Sequence, residues 1–499
     1  MNFYKFWQRR NGKGSFNKEL LPLDLFSQVT HIAGIATSGL PRSEIFAQAA
    51  KLPYHSAVYF KRAHFLVQEL NYDYAEAYRV VGEETKEAES KEFLLRLSSS
   101  LIAGEAEADF LAREAYVMGE TYGDKYEREV ESLSKWTDAY MALIVSAAIM
   151  LTISIVSMII YPISPYLVVT MCGIALLVSI VGAWILYRAA PKEVKTHSLA
   201  ECSREQKLAK TLFKICLPAT VITCGVLVAA GVDSGWIMIA ASAIILAPGL
   251  VIMRDDKRID KQDNDIANFL RSLGGVTKAI GATVTEALDR LNFRSLGSLQ
   301  SGVSRLNTRL HTGIRPELCW GRFISETGSE LVNRGTKIFW DGVKVGGDPE
   351  EVGKASSMFA MKIGLLRAKR KQVSQSFSWL CIAMHATIAS LLMLIYHIMS
   401  TFSGVFQDLG APQGTHEALA EMPFTELFSG VQLHLLHTLT IALIVVLIGA
   451  NAFAIKATQG GHNYKLIFYL SIMLAISGAV LKFVPQIASA LFGSLPTME

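Results

Sequence analysis

The sequence predicts an all-α, polytopic membrane protein with about seven transmembrane helices and two homologous cytoplasmic helical-bundle domains. Three observations carry that prediction. Of 499 residues, 51% are hydrophobic and only 18% are charged, whereas soluble proteins carry about a quarter charged residues; mean hydropathy is +0.32. The apolar excess is gathered into seven blocks, near residues 139–161, 166–187, 213–231, 236–253, 377–400, 433–455 and 466–484. Connectors between the blocks alternate between basic and non-basic.

Each block is nearly free of charge. About 20 apolar residues in a helix cover a hydrocarbon core of ~30 Å. Lipid offers no hydrogen bonds to the backbone, so each block must satisfy its own amides as a helix. The chain therefore divides into a polar domain over 1–137, four spans over 138–253, a second polar domain over 254–376 and three spans over 377–499. The first 14 residues are basic and aromatic (Phe3, Trp7, Arg9, Arg10) and lack the apolar region of a secretory signal.

Lys and Arg accumulate in cytoplasmic connectors and set orientation. The connector at 188–212 carries Arg188, Lys192, Lys195, Arg204, Lys207 and Lys210, and 456–465 carries Lys456 and Lys465. The connectors 162–165 and 232–235 have neither Lys nor Arg, and the loop 401–432 carries acids only. This places the chain in the cytoplasmic membrane with its N-terminus cytoplasmic, its C-terminus external and 401–432 as an external loop. Lys482, just before Pro485 at the end of the last block, is expected to snorkel to the outer interface.

Both polar stretches repeat apolar residues at helical spacing, as in Phe93, Leu94, Leu97, Leu101 and in Ile266, Phe269, Leu270, Leu273, Val276, Ile280. They also share turns. Gly39 is followed by Ser43-Glu44, and Gly281 by Thr285-Glu286. A left-handed glycine closing one helix, with an acid in the first turn of the next, explains both. Thr283 and Glu286 fit a capping box. A second glycine-plus-acid turn follows at Gly104 and at Gly347. Asp348-Pro349-Glu350-Glu351 reads as a strong helix start. Matching turns, and a final helix running into a span in each case, argue for a duplicated module.

The two modules differ in charge. Residues 1–137 hold 17 Lys and Arg against 20 Asp and Glu; residues 254–376 hold 21 against 14. Arg367, Lys369, Arg370 and Lys371 form the densest basic cluster. It reads either as a docking surface for an acidic partner, joined by Arg271, Lys278, Arg290, Arg294, Arg305 and Arg309, or as the basic flank of a span touching anionic lipid.

No catalytic constellation emerges. Val352-Gly353-Lys354-Ala355 lacks the glycine and hydroxyl of a phosphate loop, having Asp348 and Ala355 at those places. His416-Glu417 has no second histidine of a zinc-protease helix, and His434 and His437 read as interfacial packing or a weak metal pair. His385 and His397 lack an acidic partner nearby in sequence. No G-x-S-x-G elbow occurs, and the six cysteines show no C-x-x-C spacing. The basic stretches lack the aromatics of a nucleic-acid surface. The expectation is therefore no enzyme, cofactor, metal or nucleic acid. A transporter or permease with regulatory cytoplasmic domains is the alternative, with Thr152, Thr220 and Thr223 available to line a path.

The stretch Phe269-Leu270-Arg271-Ser272-Leu273-Gly274, the turn Gly281 to Glu286 and Leu288, with the paired G-x-x-x-[ST]-E and glycine-acid turns, resembles the type II secretion F-domain family. It is most similar to the archaeal branch, the membrane platform proteins of archaella and archaeal type IV pili. The resemblance covers about 24 to 484. It implies a homodimeric platform at the base of a filament, on which a cytoplasmic hexameric secretion-type ATPase docks to drive insertion of pilin or archaellin subunits. Gly39 with Glu44, Gly281 with Glu286, and Gly104 and Gly347 would be structural turns. Arg271, Lys278, Arg367, Lys369, Arg370 and Lys371 are the candidates for ATPase docking, chosen on charge.

Overall fold

The computed structural model describes residues 18–160, 165–197, 199, 203–409 and 433–492. Most of the expected external loop, with His416 and Glu417, lies outside these residues, as do Cys202 and the basic N-terminal stretch. Among the described residues there is no strand, only an isolated antiparallel bridge between Thr196 and Ser329. Six helices precede the first connector: α1 (Leu21–Ala36), α2 (Arg42–Lys51), α3 (Ala57–Leu70), α4 (Tyr74–Glu84), α5 (Ala88–Ala103) and α6 (Glu107–Ile160). Then come α7 (Pro165–Ala189), α8 (Arg204–Ala229), α9 (Ser234–Ile280), α10 (Val284–Arg290), α11 (Gln300–His311), α12 (Pro316–Thr327) and α13 (Glu330–Lys344). The chain closes with α14 (Pro349–Leu409), α15 (Leu433–Gln459) and α16 (Lys465–Phe492). Seven of these, α6 to α9 and α14 to α16, are long and apolar enough to cross a membrane.

The chain forms two compact units. A polar unit comprises Met1–Glu127, Lys192–Ser203 and Arg258–Arg367; an apolar unit comprises Arg128–Pro191, Arg204–Lys257 and Ala368–Glu499.

The polar unit holds residues of both polar stretches. They share one hydrophobic core, running from Leu21 and Phe26 through Phe93 and Leu111 to Phe269, Phe323, Phe339 and Phe359. Helix α1 is buried on nearly every face, so it sits inside the bundle rather than on its surface. Phe26 of α1 packs 5.0 Å from the Phe359 ring of α14. Gly34 of α1 and Gly342 of α13 both face Val352, so the three helices approach closely.

The polar residues of α1 are paired across the two stretches. Arg334 of α13 reaches Asp24 at 2.7 Å, Glu330 at 2.8 Å and Ser27 Oγ at 2.8 Å. Asp24 also holds His55 Nδ1 at 2.5 Å and accepts the His55 N–H at 3.0 Å. Burial disfavours the Arg334 charge, but Asp24 and Glu330 outweigh it and hold the guanidinium above its ordinary range.

The basic connector after α7 is part of this unit. Lys195 O accepts the Glu330 N–H at 2.9 Å, and the His197 N–H donates to Gly328 O at 3.4 Å. Lys195 is ion-paired with Asp260, and Tyr126 O–H donates to Glu193 at 2.8 Å. Residues 193–197 thus form an extended strap on the α12–α13 turn.

In the apolar unit, small residues set the helix crossings, as they do where lipid removes any net hydrophobic drive between helices. A Cβ at Gly478 of α16 would lie 2.8 Å from Gly235 O of α9, and one at Gly249 of α9 would lie 2.9 Å from Phe468 Cα of α16. Gly182 of α7 makes room for the Tyr140 ring of α6. One span stands apart. Only 6% of the apolar stretch of α8 is buried within the chain, against 50% for those of α14 and α15. Lys482 finds a partner at the α8–α9 turn, donating to Asp233 at 3.0 Å.

Candidate functional site

The four predicted turns lie in the polar unit. Gly39, Gly104 and Gly281 have φ of +69°, +70° and +64°, the left-handed region that glycine enters without steric penalty. Gly104 caps α5, and the Glu105 N–H closes the turn on Ser100 O at 3.2 Å. Thr283 Oγ1 accepts the Glu286 N–H at 3.4 Å and so caps α10. Glu44 lies exposed in the first turn of α2, its N–H on Pro41 O at 2.9 Å.

At the fourth turn the spacing points to Gly347, but the left-handed residue is Gly346, with φ +91°. Gly347 is needed for a different reason. A Cβ there would lie 2.7 Å from Thr37 Oγ1, 2.8 Å from Gly342 O and 3.0 Å from Gly34 O. Thr37 Oγ1 in turn accepts the Asp348 N–H at 3.1 Å. The end of α1 is therefore seated on the turn that opens α14.

Ion pairs join turn to turn within each stretch. Arg42 pairs with Glu107 at 2.5 Å, spanning the Gly39 and Gly104 turns. Lys278 pairs with Asp348 at 2.8 Å and Glu350 at 3.1 Å, spanning the Gly281 and Gly346 turns. The hydrogen bonds it donates to Asp348 and Glu350 hold the Lys278 ammonium above its ordinary range, and Lys278 holds the Asp348 carboxyl below its own. Asp348 also caps α14, accepting from Glu350 N–H at 2.9 Å.

The docking candidates separate by direction. Arg271, Lys278, Lys369 and Lys371 are exposed. Arg367 and Arg370 are not available to a partner. Arg367 is almost enclosed, donating to Asp263 at 2.6 Å and to Val194 O at 3.0 Å, with Glu193 at 3.6 Å. Burial disfavours its charge, yet Glu193 and Asp263 prevail and hold it above its ordinary range. Arg370 is 3% exposed. It donates to Thr458 O at 2.9 Å, Pro191 O at 2.9 Å and Ala457 O at 3.1 Å. The first and last of these are in the final turn of α15, where a cation meets the negative end of the helix dipole. Residues three apart share a helix face, so the same spacing that makes a basic cluster turns two of its four members inward. Lys278, though exposed, is committed to its acids. Exposed arginines elsewhere on the polar unit include Arg290, Arg294, Arg305 and Arg315.

The apolar unit holds a polar group that sequence reasoning missed. Tyr140 of α6, His385 of α14, Asn451 of α15 and Ser477 of α16 are all fully buried. Tyr140 O–H donates to Asn451 Oδ1 at 2.8 Å. Asn451 Nδ2 lies 3.2 Å from His385 Nδ1, and His385 Nε2 lies 2.8 Å from Ser477 Oγ. The four lie in four different apolar blocks, which local sequence spacing cannot connect. The usable signal was the presence of His and Asn in spans at all, where such groups are costly. Among the described residues no cluster of three metal-ligating side chains occurs.

No family model matches the chain, and no solved structure matches it. Two curated proteins do. The chain is 23% identical over 442 residues to Flagella accessory protein J of Methanococcus voltae, covering 84% of this chain and 76% of that protein. It is 25% identical over 434 residues to Flagella accessory protein J of Methanocaldococcus jannaschii, covering 84% and 75%.

Proposed function

We propose that this protein is the membrane platform of an archaeal filament machine, coupling a cytoplasmic assembly ATPase to the insertion of pilin-like subunits. The observation that carries this reading is similarity over 84% of the chain to two proteins named as flagella accessory proteins. Those names favour the archaellum over an adhesive pilus. The fold supports a coupling role rather than a catalytic one. It offers a large helical unit whose helices α6, α9 and α14 continue into membrane-spanning segments. In this reading the polar unit lies in the cytoplasm, the C-terminus is external, two copies form the platform, and the chemistry belongs to the ATPase.

The exposed arginines Arg271, Arg290 and Arg294 offer a surface for an acidic partner, whose attraction would weaken over a Debye length of ~8 Å at physiological salt. The test is a pull-down of the full-length chain with the assembly ATPase of the same organism. Binding at low salt is expected, falling at least tenfold when these three residues are changed to Glu. Absence of binding at any salt concentration would refute the platform reading.

A further inference from the structure

We infer that Tyr140, Asn451, His385 and Ser477 form a dry interhelical clasp that fixes the axial register of α6 and α14 against α15 and α16. The four side chains come from four different spans and are linked end to end by contacts of 2.8, 3.2 and 2.8 Å. None is exposed by more than 2%.

The donors follow from one fixed point. Tyr140 O–H donates to the Asn451 carbonyl, so the Asn451 amide N–H faces His385 Nδ1, which must accept. His385 then carries its one proton on Nε2 and donates to Ser477 Oγ. The histidine is neutral, a single tautomer, with both ring nitrogens engaged. The arrangement excludes two other roles. A proton wire needs groups that gain and lose protons in turn, and the Asn451 amide in the middle does neither. A metal or solute site needs an unspent ligand directed at a cavity, and each of these groups is directed at its neighbour.

What remains is register. Apolar side chains in a membrane tolerate sliding, because lipid and Leu are equivalent neighbours. A buried polar group does not, because a slip by one helical turn of ~5.4 Å leaves it without a partner in a medium that supplies none. The Tyr140 ring is held from two further sides, by Phe377 of α14 at 6.0 Å between centroids and by the gap at Gly182 of α7. The two helices so pinned, α6 and α14, are also the longest among the described residues, at 54 and 61 residues. No member of the clasp lies in α8.

The test uses the full-length protein in lipid nanodiscs. Unfolding would be measured for Tyr140→Phe, Asn451→Leu, Ser477→Ala and their pairs, and histidine nitrogens would be read by 15N NMR. Tyr140→Phe is small enough to fold if Asn451→Leu does not. Each end substitution is expected to shift the unfolding equilibrium about threefold, typical of a hydrogen bond between membrane helices. In the Asn451→Leu background Tyr140→Phe should have no further effect. His385 should show a bare Nδ1 and a protonated Nε2. Additive effects of Tyr140→Phe and Asn451→Leu, or a proton on Nδ1, would overturn the clasp.

Discussion

Arg370 donates to three backbone carbonyls from two chain segments, and only a planar guanidinium presents N–H groups in that fork. Arg370→Lys keeps the charge but cannot reach all three, so it should lower stability by about 2–4 kcal/mol, the scale of losing charge-assisted hydrogen bonds from a buried site. Gly460→Ala attacks the same contact from the other side, because its Cβ would lie 2.8 Å from the guanidinium. Detergent unfolding of the full chain would check both, and a silent Arg370→Lys would refute the assignment. His197 titrates in the opposite sense from a salt-bridged histidine. Burial in the strap holds its pKa below the ordinary 6.5, so the unfolded chain is the form that binds the extra proton. Stability is complete above 6.5 and is lost progressively as pH falls from there towards the folded value. The protection factors of the amides at 195–199, corrected for the intrinsic pH dependence of exchange, should therefore fall between pH 7 and 5.5, and His197→Gln should abolish that fall. The charges of Arg367, Arg370 and Lys195 were visible in the sequence. Their commitment to internal partners was not, because those partners are Asp263, Asp260 and carbonyls brought in by other helices.

At the scale of elements, the helix ends were the most legible feature. Asp348-Pro349-Glu350-Glu351 opens α14, and Thr283 caps α10, because capping depends on neighbours in sequence. The difference between Gly346 and Gly347 was not legible, since one needs a backbone angle and the other needs space. Gly346→Ala should cost about 1–2 kcal/mol, the penalty of a left-handed residue with a Cβ. Gly347→Ala should cost more, because Thr37 Oγ1 and the Gly34 and Gly342 carbonyls close in on it within 3.0 Å and belong to packed helices that cannot recede. Thermal unfolding of the two variants would rank them, and the reverse order would contradict the packing argument. The extended strap at 193–197 escaped sequence reasoning altogether. Its Lys195 read as part of a basic cytoplasmic connector, whereas its backbone pairs with the α12–α13 turn.

For the whole molecule, the charge pattern predicts a side for each segment. In a cysteine-free background, Tyr166→Cys should react with a membrane-impermeant maleimide on intact cells, and Ser295→Cys only after lysis. Labelling of Ser295→Cys from outside would invert the orientation and remove the polar unit from reach of a cytoplasmic ATPase. The seven spans were determined by the sequence alone, because 20 apolar residues in a row have one low-energy fate in a bilayer. The helical nature of the polar stretches was determined too, by apolar spacing. Only the tertiary structure decided that those stretches share one core, that half of the basic cluster faces inward, and that four polar residues from different helices meet in the apolar unit. The physical reason is common to all three. Periodicity and capping are written over a few residues of chain, whereas pairings such as Asp24 with Arg334 or Tyr140 with Asn451 join positions 310 or so apart, and no local pattern specifies which distant partner a buried polar group will find.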